Sequence, residues 1–293
     1  MPCTDVSRSR PCKPEIKLIA TDMDGTLLNS RGQIDESFFG LFAELERRNI
    51  MFVVCSGRFY ATLVRNFQRI ESGLLLVAHN GAVVQHSDSE QPIFERNIEH
   101  KLVISTLQQL FAMNLEAEVY LAAKNTAYVM RPSADFKANL IRHDVDFVEI
   151  PSLFTVKEGI KKIGLFQKGG LTATTVRKVK EAFRETFECV AAGEVWLEMM
   201  GRNISKGWAL AKIQERFGIG PENTLVFGDY YNDLELFQQA AYSFAMANAP
   251  ADVKKAARFV APDNDANGVV RVIKRYLAED VEFSSSIGKR DFA

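Results

Sequence analysis

The chain lacks any apolar run approaching the roughly 20 residues that cross a bilayer, so no segment reads as a membrane anchor. Cysteine is scarce: Cys3, Cys12, Cys55 and Cys189 are the only four in 293 residues. Their scatter provides neither a metal-binding pair spacing nor a disulfide framework, and predicts reduced thiols in a cytoplasmic protein. An excess of either charge is missing too, since 36 Lys and Arg meet 37 Asp and Glu for a formal net charge of -1. That balance supplies no global basic field for nucleic acid. There is no internal repeat and no low-complexity tract. The stretch Met1 to Pro14 has basic residues but no apolar run behind them, which argues against a secretory signal. What is present is an ordinary globular composition, 47% hydrophobic and 25% charged, in a chain long enough for two domains.

The first segment of strong character, Ile16-Lys17-Leu18-Ile19-Ala20-Thr21, reads as a buried strand. It ends in the acidic, turn-rich Asp22-Met23-Asp24-Gly25-Thr26. Residues 36–49 show helical spacing, with Phe38, Phe39, Leu41, Phe42 and Leu45 on one face. A second buried strand, 50–55, runs into Ser56-Gly57-Arg58; a helix and a third strand, Leu74 to Ala78, follow and end at Asn80-Gly81. This alternation predicts a parallel sheet with crossover helices.

The pattern changes near residue 84. Val119 to Met130 reads as a hairpin turning at Lys124-Asn125, between helices near 99–113 and 133–142. A strand at 160–167, an amphipathic helix at 171–187 and two strands near 187–192 and 195–200 follow. That order predicts an antiparallel sheet with helices on one face. After Gly201 the strand–helix rhythm returns, with a helix from Ser205 to Phe217, a strand Thr224 to Phe227 ended by Gly228-Asp229, a helix at 233–240, a short strand Ser243 to Met246 and a helix at 250–257. The tail from about 281 is polar. The expected fold class is α/β: a doubly wound parallel-sheet core, residues 1–83 and 202–293, with an inserted α+β cap at 84–201.

In doubly wound sheets, ligands bind at the carboxyl ends of the strands. Four polar clusters fall at such places or at a helix start: Asp22 with Asp24, Ser56, Lys206, and Asp229 with Asn232 and Asp233. Singly, each has a plain structural explanation, as a turn, a cap or a solvated lysine. Together and in this order they carry a resemblance. Asp22-Met23-Asp24-Gly25-Thr26-Leu27-Leu28 resembles the first motif of the haloacid dehalogenase superfamily, Ser56-Gly57-Arg58 the second, Lys206 in Ile204-Ser205-Lys206-Gly207 the third, and Gly228-Asp229-Tyr230-Tyr231-Asn232-Asp233 the fourth. The match extends over about residues 15–275, and the cap position resembles that of the Cof-type phosphatases. Asn80-Gly81-Ala82 and Ala245-Met246-Ala247-Asn248-Ala249 resemble that subfamily as well.

The resemblance implies a Mg²⁺-dependent phosphatase of small phosphate monoesters, such as sugar phosphates, acting through an aspartyl-phosphate. Asp22 is the expected nucleophile, and Asp24 the acid and base, oriented by Thr26. Lys206 would neutralise phosphate and Asp22, while Met23, Ser56, Gly57 and Asn232 would bind the phosphate. Asp22, the backbone carbonyl of Asp24, and Asp229 are the expected metal ligands, with Asp233 behind them; a helix N-cap is the plainer reading of Asp233. Arg58 either reaches the substrate or pairs on the surface. Cap loops at Lys124-Asn125 and Glu194 are candidates for substrate selection or ordinary turns. Phe166 and Trp196 read as core, and His79, His86, His100 and His143 receive no role. Alternative functions are a phosphosugar mutase, which returns the phosphoryl group to sugar, and a non-catalytic phosphate-responsive binding protein. A receiver-like signalling domain would be shorter and would need neither Asp24 nor a cap. The expected partner is a small phosphorylated metabolite, with no nucleic acid or membrane, and the default state is a monomer.

Overall fold

A computed structural model describes residues 15–278. Cys3, Cys12, the N-terminal extension and the polar tail lie outside the described residues. The elements begin with β1 (Leu18–Asp22), α1 (Ser37–Arg47), β2 (Met51–Cys55), α2 (Tyr60–Asn66), β3 (Leu75–Ala78), β4 (Val83–His86) and β5 (Phe94–Glu95). Next come α3 (His100–Ala112), β6 (Glu118–Ala122), β7 (Thr126–Val129), α4 (Ala134–Arg142), β8 (Asp146–Glu149), β9 (Lys162–Phe166), α5 (Ala173–Phe183), β10 (Phe187–Ala191) and β11 (Trp196–Gly201). The chain continues with α6 (Lys206–Phe217), β12 (Thr224–Gly228), α7 (Leu234–Gln238), β13 (Tyr242–Met246), α8 (Ala251–Ala256), β14 (Phe259–Ala261) and α9 (Gly268–Ala278). Each strand and helix expected from the sequence is there, its ends moved by a few residues. β4, β5, β8, β14 and α9 were not anticipated.

The chain divides into two compact units. The first holds the residues up to Cys55, Gly73–Leu75 and those from Lys206 onward. Its strands run in the order β14-β13-β12-β1-β2, every neighbouring pair parallel. All five residues of β1 are buried, as the interior strand of a parallel sheet requires. The stripe of α1 is Phe38, Leu41, Phe42 and Leu45, the i, i+3, i+4, i+7 face. Phe39 lies at its edge and is only half-buried. Asn49, in left-handed geometry at φ 56°, ends that helix and turns the chain into β2.

The second unit holds Ser56–Ser72 and Leu76–Ser205, so it includes the loop after β2 and helix α2 as well as the 84–201 segment. Its six-stranded sheet has the order β10-β11-β9-β6-β7-β8. Neighbours are antiparallel except β7 and β8, which α4 connects as a parallel pair. That exception corrects the expectation of helices on one face. Val119, Leu121, Ile163, Leu165, Leu197 and Met199 pack with α3 and α5. Tyr120, Ala122, Phe166 and Trp196, alternating with them along the strands, pack with Phe136 and Leu140 of α4. A crossover between parallel strands is confined to one side by its handedness, and here that side is opposite α3 and α5. Phe136 stacks on Phe166 with ring centroids 4.9 Å apart, which bears out the core reading of Phe166 and Trp196. Cys55 and Cys189 are free and buried.

His79 is fully buried in the second unit, beside the Phe59 ring. Its Nε2 lies 2.9 Å from the Lys124 carbonyl, so that nitrogen carries the proton. Nδ1 is buried with no hydrogen-bond partner. Burial, reinforced by Lys162, lowers its pKa from 6.5 to about 3. Below pH 6.5 the unfolded chain therefore takes up a proton that the native histidine refuses. This contribution to stability is complete above pH 6.5 and is lost as pH falls toward 3. Urea unfolding at pH 7 and pH 5 is expected to show a fall about 2 kcal/mol larger for the wild type than for His79→Gln. Equal falls would show that His79 is not the group responsible.

Candidate active site

Asp22 is the last residue of β1 and lies level with Cys55 at the end of β2. Beyond it the chain makes a tight turn over Met23–Leu27. Gly25 is required at that turn for two reasons. Its φ is 77°, and an added Cβ would fall 2.4 Å from the Asp229 carboxylate. The Gly25 carbonyl accepts a hydrogen bond from the Asn248 side chain at 2.8 Å. β12, the parallel neighbour of β1, ends at Gly228 and delivers Asp229 to the same end of the sheet. Thr26 Oγ1 donates to Asp229 Oδ1 at 2.7 Å.

Lys206, the first residue of α6, is 1% exposed. α6 approaches α7 closely at Gly207, where a Cβ would lie 2.5 Å from the Glu235 backbone. Lys206 Nζ donates to Asp22 Oδ1 at 2.5 Å and to Asp233 Oδ1 at 2.8 Å. The other Asp233 oxygen accepts the backbone N–H groups of Asp229 at 2.9 Å and Tyr230 at 3.1 Å. Asp233 thus ties the ammonium to the loop that carries Asp229. Its carboxylate makes no capping bond to α7 itself, but it closes a capping box with Tyr230 around the short turn Tyr231–Asp233 that leads into that helix.

Oxygens of Asp22, Asp229 and Asp233 lie within 4.8 Å of one another, against one ammonium. Burial raises the pKa of Asp22 well above the usual carboxylate range, Asp233 adds to the rise, and Lys206 opposes it. Burial also raises Asp229, with the Thr26 hydroxyl opposing. For Lys206, burial alone would depress the pKa, but Asp22 and Asp233 outweigh it and hold the ammonium charged. The cluster is short of positive charge and offers only hard carboxylate oxygen, the donor set that suits Mg²⁺.

The remaining expected residues fall as follows. Asp22 is buried and Asp24 exposed, and both have extended backbone, at φ -65°, ψ 165° and φ -79°, ψ 120°. Thr26 bonds to Asp229 rather than orienting Asp24, since its hydroxyl points toward the end of β12. Met23 is buried and Asn232 half-buried. Ser56, Gly57 and Arg58 belong to the second unit. There the Arg58 N–H donates to Ser56 Oγ at 3.2 Å, and the Arg58 guanidinium lies 3.3 Å from Asn66 Oδ1. Lys124 Nζ sits 5.1 Å over the Tyr60 ring, and Glu194 lies in an exposed turn. No histidine joins the carboxylate cluster among the described residues. The sequence reading missed the role of Asn248, although it singled out the segment that carries it. It also missed a buried pair in the second unit, Lys162 with Glu198. Beside Lys161, nothing in the sequence separates Lys162 from a solvated lysine.

Comparison with known proteins agrees with this geometry. Residues 19–273 match the haloacid dehalogenase-like hydrolase family. The chain is 29% identical over 272 residues to the 5-amino-6-(5-phospho-D-ribitylamino)uracil phosphatase YbjI of Escherichia coli, covering 92% of this chain and 98% of that protein. It is 26% identical over 263 residues to the Bacillus subtilis phosphatase YcsE, named for the same substrate, covering 90% and 96%. The crystal structure of SMU.1108c from Streptococcus mutans superposes with a TM-score of 0.81 at 30% identity, covering 90% of this chain and 100% of that one. A family match running almost end to end, over a carboxylate cluster built for a divalent cation, leaves one assignment: the chain belongs to the haloacid dehalogenase-like hydrolases, in their Cof-like phosphatase branch, and is a Mg²⁺-dependent phosphatase of small phosphate esters.

Proposed function

We propose that Asp22 is the nucleophile, and that the substrate is a phosphorylated sugar or sugar alcohol. The observation that carries the first part is the burial of Asp22 against Lys206 and beside Asp229. A phosphate monoester repels an anionic nucleophile, so catalysis depends on neutralisation and alignment. Lys206 holds Asp22 Oδ1, which leaves Oδ2 to attack phosphorus. The P–O bond to the leaving group breaks, and Asp24 gives that oxygen a proton. Asp24 then takes a proton from water as the water oxygen attacks the aspartyl-phosphate. Inorganic phosphate leaves and Asp22 is regenerated. Asp22, the Asp24 carbonyl and Asp229 would hold Mg²⁺, which supplies the divalent counter-charge for nucleophile and phosphate. Asp233 orients Lys206 and the Asp229 loop from behind.

In this reading Met23, Ser56, Gly57 and Asn232 bind the phosphate oxygens. The segment 84–201 acts as a cap that selects the leaving group, and the chain works as a cytoplasmic monomer without nucleic acid. Two relatives named for a ribityl phosphate substrate support the substrate class. Buried free thiols at Cys55 and Cys189 are consistent with a reducing compartment.

Phosphate release from a panel of sugar and sugar-alcohol phosphates tests the proposal. Asp22→Asn should abolish Mg²⁺-dependent release while the protein stays folded; retained turnover would remove Asp22 as nucleophile. Asp24→Ala should slow alkyl phosphates by at least about 100-fold and p-nitrophenyl phosphate much less, because a good leaving group needs no acid. A uniform loss would count against the acid role. Thr26→Val should raise the Mg²⁺ concentration for half-maximal activity by about 10-fold, because Asp229 loses its fixed orientation. An unchanged Mg²⁺ titration would show that Thr26 does not tune the ligand.

A further inference from the structure

The second unit contains an ion pair with no part in the chemistry above. Lys162 of β9 and Glu198 of β11 are 3% and 8% exposed and in direct contact. Tyr120 Oη lies 3.4 Å from the same Glu198 oxygen. The Lys162 ammonium has two further neighbours. It donates to the Gly57 carbonyl at 3.1 Å and lies 5.4 Å from the centre of the Phe59 ring. A buried ion pair is weak evidence for stability, because desolvation offsets most of the attraction. Its direction is more informative than its existence. The ammonium is aimed at one backbone carbonyl, in the residue after Ser56.

That carbonyl belongs to the peptide joining Gly57 to Arg58. The N–H of the same peptide donates to Ser56 Oγ at 3.2 Å. One peptide plane is thus held at both edges, by Lys162 at its oxygen and by Ser56 at its nitrogen. The hydroxyl, accepting from that N–H, keeps its own proton to give. The loop is braced elsewhere as well. Ser56 N–H donates to the Val77 carbonyl at 2.8 Å, and Asn80 N–H donates to the Ser56 carbonyl at 2.9 Å. An added Cβ on Gly57 would press on the Asn80 amide at 3.1 Å. Of these braces, the Lys162 contact alone brings a full charge to the peptide that bonds Ser56 Oγ. Hydrogen bonds in series polarise one another, so an ammonium on the carbonyl strengthens the N–H as a donor to the hydroxyl.

We infer that Lys162, held by Glu198, is a positioning residue for the phosphate site: through the 57–58 peptide it orients and polarises the Ser56 hydroxyl toward a phosphate oxygen. The inference rests on the reading of Ser56 as a phosphate-binding group. It makes the strands that supply Lys162 and Glu198 part of phosphate binding as well as of leaving-group selection.

A double-mutant cycle on p-nitrophenyl phosphate hydrolysis at saturating Mg²⁺ tests it. The ion pair is replaced as a unit, Lys162→Met with Glu198→Met, so that neither charge is left buried alone. In the Ser56 background KM should rise about 10-fold, with a smaller change in kcat. In the Ser56→Ala background the same replacement should change KM by less than about twofold, because the group it acts through is gone. Lys162→Met with Glu198→Gln, which leaves no buried charge and keeps a polar partner for Tyr120, should show the same dependence on background and serves if the apolar pair does not fold. Equal losses in both backgrounds, or no loss with Ser56 present, would overturn the inference. Should Ser56→Ala alone leave KM unchanged, the phosphate-binding role of Ser56 fails and the inference with it. Asp22-dependent turnover, measured in the same assays, would still stand.

Discussion

The structure is organised around one buried cation. Lys206 stands between Asp22 and Asp233, and these contacts draw together three separate stretches of chain. Removing an ammonium from water is unfavourable unless its partners are close and well oriented. Here the partners are fixed by the backbone, Asp22 by the end of a fully buried strand and Asp233 by the turn before α7. Asp233 uses its two oxygens for different purposes, one for Lys206 and the other for two backbone N–H groups. The arrangement leaves Asp22 and Asp229 near each other with too little positive charge between them. That deficit prepares the site for a divalent ion.

Glycine and small polar residues complete the geometry that the carboxylates need. Gly25 permits a turn that a side chain would obstruct by striking Asp229. Thr26 and Asn248 then hold that turn, one through Asp229 and the other through the Gly25 carbonyl. Beside the contacts to Lys206, the acidic residues are placed by neighbours that bear no charge. The second unit uses a comparable device with opposite polarity, in which a paired lysine holds a loop through a single carbonyl.

Much of this was legible in the sequence. Apolar runs ending in acidic or serine-containing loops located the strand ends, because buried parallel strands leave little other room for polar groups. The strand–helix alternation changes near residue 84, whereas the second compact unit takes in Ser56–Ser72 and Leu76–Ser205. Three things escaped. The parallel β7–β8 pair placed α4 on the other face of its sheet, and pairing direction is not encoded in a strand's own residues. The partner of Thr26 was misjudged because it lies 203 residues away in the chain. Lys162 and Glu198 carried no signal, since a buried pair is indistinguishable from two surface charges until the fold is known.

The distance along the chain between Asp22 and Lys206, 184 residues, has a consequence for synthesis. A nascent chain emerges from its N-terminus, and domains fold as units while it does so. β1 appears early, yet its parallel neighbour β12 begins only at Thr224 and the last acidic member of the cluster is Asp233. Every shorter chain on the ribosome holds Asp22 without the strand and the carboxylates that complete its surroundings. The run Leu76–Ser205, by contrast, is continuous and brings its own core. The cluster therefore cannot assemble until the segment that carries Asp229 and Asp233 has been made.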